Sequence, residues 1–216
     1  KKRRTTLKTR VIANNKHQVR IDEENTLPIT IEHQFLDLVG KLINNSDVII
    51  LQDYNKGVLT PKVITEVISI ANNKDIPTIV DPKKHNFNAY KECTIFKPNL
   101  SEIKKGMDIE FNADSNKEIE IASTKLRNFL NAKAVLLTLS SRGICINSGR
   151  SFKHTPAFKR DIIDVSGAGD TVISVASLCL CSNIDLPTLS VLASLAGGIV
   201  CEEVGVIPIN KEKLLI

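Results

Sequence analysis

Asp164-Val165-Ser166-Gly167-Ala168-Gly169-Asp170-Thr171 sets small, flexible residues between two carboxylates, directly ahead of the apolar run Thr171–Cys181. Such a run reads as a helix that begins inside the glycine turn. A helix start presents unpaired backbone N–H groups and the positive end of a dipole, and so attracts phosphate. Asp170 would then stand inside an anion pocket. A carboxylate there suits one task, taking the proton from a hydroxyl that attacks a phosphoryl group. A helix-capping Asp and a tight strand-to-helix turn are the competing readings of Asp170 and of Gly167–Gly169.

Working outward from this turn, strands and helices alternate. Asp47–Leu51, Pro77–Val80, Thr94–Phe96 and Ala134–Leu139 are short apolar runs of the buried-strand type. Between them lie helical segments: Ile31–Ile43, a helix opened by Thr60-Pro61 and running to Asn73, a short helix after Asn99, and Lys117–Leu130. Ile144–Asn147 and Ser151–His154 read as an antiparallel pair, followed by apolar helices over Ala168–Cys181 and Pro187–Val204, expected to be packed on both sides. At the amino end, Leu7–Ala13 and Gln18–Asp22 form a plausible hairpin around Asn14-Asn15-Lys16. The pattern predicts an α/β fold, a mostly parallel sheet covered by helices on both faces, in a single domain over residues 1–216, with the hairpin 7–22 as a small appendage.

The composition narrows the function class. The chain has 216 residues, 42% hydrophobic, enough for one sizeable core. Its apolar stretches are too short and interrupted to span a bilayer, and Lys1-Lys2-Arg3-Arg4-Thr5-Thr6 has no apolar leader region. The net charge of +5 comes largely from Lys1, Lys2, Arg3, Arg4, Lys8 and Arg10. No aromatic interleaving accompanies them, so neither a nucleic-acid nor a membrane partner is expected. Five scattered cysteines without a C-x-x-C pair argue for a reducing compartment, the cytoplasm, and four histidines without ligand spacing argue against a Cys/His metal site.

In an open parallel sheet, ligands bind at the carboxyl ends of the strands. Asp53-Tyr54-Asn55-Lys56-Gly57, Asp81-Pro82-Lys83-Lys84, Lys97-Pro98-Asn99-Leu100-Ser101-Glu102 and Ser140-Ser141-Arg142-Gly143 each follow a strand, and the Gly-Ala-Gly-Asp turn comes last. Their shared rim is a stronger signal than any one of them. Taken together these residues resemble the PfkB, or ribokinase-type, family of carbohydrate kinases. Residues 164–171 match its carboxyl-terminal signature, Asn99-Leu100-Ser101-Glu102 its Asn-x-x-Glu motif, and Thr138-Leu139-Ser140-Ser141-Arg142-Gly143 its nucleotide-binding strand end. Within the family, Lys8-Thr9-Arg10-Val11-Ile12, Arg20-Ile21-Asp22, Asp53–Gly57 and Asp81-Pro82-Lys83 look most like the heptose 7-phosphate kinase branch, whose members are often the kinase half of a bifunctional ADP-heptose synthase.

The resemblance implies a ribokinase-like three-layer α/β/α fold with a partial β-lid, and ATP-dependent transfer to a sugar phosphate. Asp170 would be the base, and Gly167, Ala168 and Gly169 would give N–H groups to the transferring phosphoryl group. Asn99 and Glu102 would arrange Mg²⁺, its waters and the ATP phosphates, or form a helix cap. Thr138, Ser140, Gly143 and Ser194 would border the nucleotide, although many relatives carry Asn where Ser194 stands. Lys56 and Lys83 would bind the sugar phosphate, or be solvated. Arg10, Arg20 and Asp22 would contact the sugar, or pair across the hairpin. Asp53 would bind sugar hydroxyls, or cap its turn. Asp164 would help hold a monovalent cation such as K⁺. Family members carry further strands and a di-glycine motif ahead of the hairpin, and none is found here. A sheet without those strands would expose an apolar edge, so a homodimer or other self-association is expected.

Overall fold

The computed structural model describes residues 3–13 and 16–214. The turn at Asn14 and Asn15 therefore lies outside the described residues. Two sheets are present among the described residues. The smaller pairs β1 (Leu7–Ala13) with β2 (Lys16–Glu23), antiparallel, with a bulge between Val11 and Ile12. The larger has six strands in chain order: β3 (Ile49–Gln52), β4 (Thr78–Asp81), β5 (Ile95–Phe96), β6 (Ala134–Thr138), β7 (Ile144–Asn147) and β8 (Phe152–Thr155). β3 to β6 run parallel; β7 and β8 are added antiparallel.

The helices are α1 (Glu32–Leu42), α2 (Pro61–Asn72), α3 (Leu100–Met107), α4 (Asn116–Leu130), α5 (Ala168–Cys181), α6 (Leu186–Val200) and the short α7 (Lys211–Leu214). Their starts follow local chemistry. Thr60 caps α2 by accepting from the Val63 amide at 3.3 Å, with Pro61 in the first turn; Ser115 and Asp185 cap α4 and α6 in the same way.

Side-chain alternation along the parallel strands divides the core between the two faces of the sheet. Val80, Phe96, Val135 and Leu137 face α2, α3 and α4, meeting Val63, Ile64, Ile103 and Leu126. Ile79, Ile95, Ala134 and Leu136 face α5 and α6, meeting Val172, Ile173, Ala176, Leu189 and Ala193. This is the three-layer α/β/α arrangement the alternation predicts.

Two expectations are corrected, and α1 adds a further finding. α6 ends at Val200 rather than Val204, where a turn leads to Gly205 at φ +86°. α5 is not packed all round, since Leu178 is 68% exposed. The apolar stripe of α1 is only half used: Phe35 and Val39 pack against the core, but Ile31, Leu38 and Leu42 are exposed. β3 is an edge strand of the sheet, and its Ile50 is 41% exposed.

Candidate active site

Three consecutive parallel strands end in polar residues on one rim. Gln52 closes β3, Asp81 closes β4, and Lys97 follows β5. The Gln52 side-chain nitrogen donates to Asp81 Oδ2 at 2.8 Å and to Asp170 Oδ1 at 3.0 Å. The Lys97 ammonium pairs with Asp81 Oδ1 at 3.0 Å, and the residue is 3% exposed. The Tyr54 hydroxyl also donates to Asp170 Oδ1, at 3.2 Å. Burial, followed by the charge and hydrogen bond of Asp170, pushes the Tyr54 phenol above its ordinary range, so it stays a protonated donor.

Asp170 is the third residue of α5. The helix begins from Gly167, which sits at φ +80° and makes no side-chain cap. The helix-cap reading of Asp170 is therefore corrected: its carboxylate is drawn toward β3. Gly167 is required twice over, by its left-handed backbone and because a Cβ would lie 2.9 Å from Val206 Cγ1. A Cβ at Gly169 would lie 3.8 Å from Lys97 Nζ, so the buried ammonium faces the helix start. The helix dipole and Lys97 together make this corner attractive to an anion.

Beside it, Asn99 and Glu102 form a reciprocal cap on α3. The Glu102 amide donates to Asn99 Oδ1 and the Asn99 amide to Glu102 Oε2, both at 2.9 Å. Lys83 Nζ donates to Glu102 Oε1 at 3.1 Å. Burial acts to lower the Lys83 pKa, but the hydrogen bond and charge of Glu102, with Asp81 and Asp53 behind, outweigh it, and the net direction is up. Thr138 joins the same rim through a parallel bridge to Asn99 and its amide bond to Pro98 O at 3.0 Å. The turn that follows needs Ser140 at φ +56° and Gly143 at φ +90°, where a Cβ would lie 2.1 Å from Thr155 O.

The model for the family described as "pfkB family carbohydrate kinase" matches residues 1–213. The chain belongs to the pfkB family. It is 34% identical over 205 residues to the bifunctional protein HldE of Campylobacter curvus strain 525.92, covering 95% of this chain and 43% of that protein. It is 33% identical over 217 residues to the HldE of Syntrophotalea carbinolica, covering 99% and 44%. The chain thus spans less than half the length of these curated relatives. The fold matches phosphofructokinase-2 from Escherichia coli in complex with potassium, with TM-score 0.84, 19% identity, and 99% and 69% of the two chains covered. It also matches Arabidopsis thaliana ribokinase complexed with ribose and ATP, with TM-score 0.73, 18% identity, and 93% and 65% covered.

In this pfkB chain the rim brings together Asp170, Gly167–Gly169, Asn99, Glu102, Lys83 and Thr138. Other expected residues lie apart from it or are already engaged. Asp53 is 2% exposed and accepts from the Asn55 amide (2.6 Å), the Tyr90 hydroxyl (2.7 Å) and Asn86 Nδ2 (3.1 Å). Its oxygens thus cap the following turn and are held by Tyr90 and Asn86. Lys56 pairs with Glu24, and its carbonyl accepts from Arg3. Both oxygens of Asp164 accept backbone amides, Ser166 and Gly205, at 2.9 Å. Ser194 lies on the buried side of α6, with no side-chain hydrogen bond to the rim among the described residues.

On the hairpin, Arg10 stands opposite Arg20 and Lys8 opposite Asp22, and Arg20 binds Asp22 along its own strand at 3.1 Å. The hairpin reaches the rim through Lys8, whose ammonium lies 6.0 Å from the Tyr54 ring centroid. Tyr54, Asp81 and Lys97 belong to the strand-end clusters on this rim, whereas Gln52 belongs to none of them. Their signal was present, a polar residue at or just past the end of an apolar strand.

Proposed function

We propose that this chain carries the kinase chemistry of a sugar kinase, transferring the γ-phosphoryl group of ATP to the anomeric hydroxyl of D-glycero-D-manno-heptose 7-phosphate. The product would be heptose 1,7-bisphosphate, a precursor for ADP-heptose and the lipopolysaccharide core. One observation carries this reading: a carboxylate with one oxygen pinned and the other without a partner among the described residues, at a helix start faced by a buried lysine.

Asp170 Oδ2 takes the proton of the acceptor hydroxyl as its oxygen bonds to the γ-phosphorus. The bond from phosphorus to the β–γ bridging oxygen breaks, and ADP leaves with that electron pair. The Gly167–Gly169 amides and Lys97 stabilise charge on the transferring group. Thr138, Ser140 and Gly143 border the nucleotide.

Among the described residues no three metal-ligating side chains come together. Mg²⁺ would therefore take most of its ligands from phosphates and water, with Glu102 and Asn99 reaching it through water, an arrangement usual for this ion. When bound, Mg²⁺ offsets phosphate charge. Glu102 fits that role once Lys83 turns from it to a substrate phosphate. Asp164 fits direct K⁺ ligation poorly, since its oxygens face amides; its part is to fix the loop behind Gly167.

The heptose assignment is supported by the HldE relatives. The competing readings are another sugar or nucleoside kinase, or a nucleotide-binding module without turnover. Phosphorus NMR of the chain incubated with Mg²⁺, ATP and heptose 7-phosphate tests this. A new anomeric phosphate resonance with ADP is expected. Product from ribose or fructose 6-phosphate alone would move the assignment to another sugar, and nucleotide binding without product would leave the module. We also infer self-association: a related phosphofructokinase-2 is described as tetrameric, and Leu7, Val11, Val19 and Ile21 are exposed on this hairpin. Light scattering is expected to exceed the monomer mass.

A further inference from the structure

A carboxylate at the third position of a helix ordinarily reaches back to cap its own first turn. Asp170 does not. Four contacts explain why. Gln52 spends both hydrogens of its side-chain nitrogen on carboxylates, one on Asp81 at 2.8 Å and one on Asp170 at 3.0 Å. Asp81 is itself anchored by the buried Lys97 at 3.0 Å. Tyr54 adds a second donor to the same Asp170 oxygen. Gln52 ends β3 in register with Asp81 at the end of β4, which brings its side chain within reach of both carboxylates. The result is a relay that starts from a buried ammonium and finishes at the exposed carboxylate.

We propose that Gln52 and Tyr54 are positioning residues for the base: they clamp Asp170 Oδ1, aim Oδ2 at the acceptor hydroxyl, and keep the carboxylate off the helix-start amides that the transferred phosphoryl group needs. This rests on the reading of Asp170 as the base. In this role the pair acts through Asp170 rather than on substrate, so its removal changes the chemical step and leaves substrate affinity in place.

The test uses the full chain with two readouts. The first is steady-state kinetics of Gln52→Met and Tyr54→Phe. Loss of the clamp lets the base shift by about an ångström, which costs on the order of 10²-fold in kcat for Gln52→Met. A smaller loss is expected for Tyr54→Phe, with KM for ATP and sugar phosphate within about twofold of wild type in both.

The second readout needs no turnover. The chain has two tyrosines and no tryptophan, and burial beside Asp53 pushes Tyr90 up still further than Tyr54. The lower phenol transition in an ultraviolet titration is therefore Tyr54. The charges facing that phenol are Asp170, Asp81 and Lys8. Asp170→Asn is expected to lower the Tyr54 midpoint, because its neighbouring anion is gone, and Gln52→Met to raise it, because Gln52 favours the phenolate. An active wild type whose Gln52→Met variant keeps its kcat would overturn the clamp alone, as would a Tyr54 midpoint indifferent to Asp170→Asn. A wild type that binds ATP but phosphorylates no sugar would overturn the kinase reading, and the clamp's catalytic role with it.

Discussion

The sheet rim and the β1–β2 hairpin are held in place by different physics. At the rim, Lys97 and Asp81 are buried as an ion pair, Asp53 is buried among three donors, and their strands are locked between two apolar layers. On the hairpin every residue of β1 is exposed. Its anchors are surface contacts: Arg3 donating to Leu27 O at 2.7 Å and to Asn25 O at 2.8 Å, and Lys8 over Tyr54. The part of the chain that would handle the phosphoryl group is thus built into the core, whereas the part that would cover the acceptor is laid on the surface. Substitutions should separate the two: large losses of stability at the rim, small ones on the hairpin.

The sharpest break is expected from Lys97→Met. Removing one partner of a buried pair leaves Asp81 uncompensated, at a cost of about 3–5 kcal/mol in urea unfolding. Alkaline unfolding comes next. Burial pushes the Cys93 and Cys145 thiols up to about 12 from 9.0. Because the folded values are raised, this stability is complete below pH 9 and is lost as pH climbs from 9 toward 12, at about 1.4 kcal/mol per unit for each thiol. A Cys93→Ala, Cys145→Ala variant should show a flatter decline over that window. Tyr90→Phe deprives the enclosed Asp53 of a donor and should cost about 1–3 kcal/mol. On the hairpin, the exposed Thr9→Ser should stay within about 0.5 kcal/mol of wild type in the same assay. A hairpin effect as large as that of Lys97→Met would break the contrast.

The same contrast governs what could be read from sequence. The buried strands carry continuous apolar runs and the capped helices carry Thr60-Pro61 or Ser115, so the layers and their order were legible. The Gly-Ala-Gly-Asp turn was legible because glycine at φ +80° and an acid at a helix start leave a clear mark. Side-chain pairing was not. Nothing local says that Lys56 will meet Glu24, that Lys83 will meet Glu102, or that Asp53 will be sealed by Tyr90, 37 residues away. Gln52 escaped for the same reason: its partners Asp81 and Asp170 lie 29 and 118 residues on, and they meet only because parallel strands end on one rim.

The central claim is that Asp170 is the base of a phosphoryl transfer performed by this fold. Turnover of ATP with heptose 7-phosphate by wild type and by Asp170→Asn, each shown by circular dichroism to be folded, tests it most directly. The account predicts a fall in kcat of about 10²–10⁴-fold with nucleotide affinity retained. Wild-type turnover in the folded Asp170→Asn variant would contradict it.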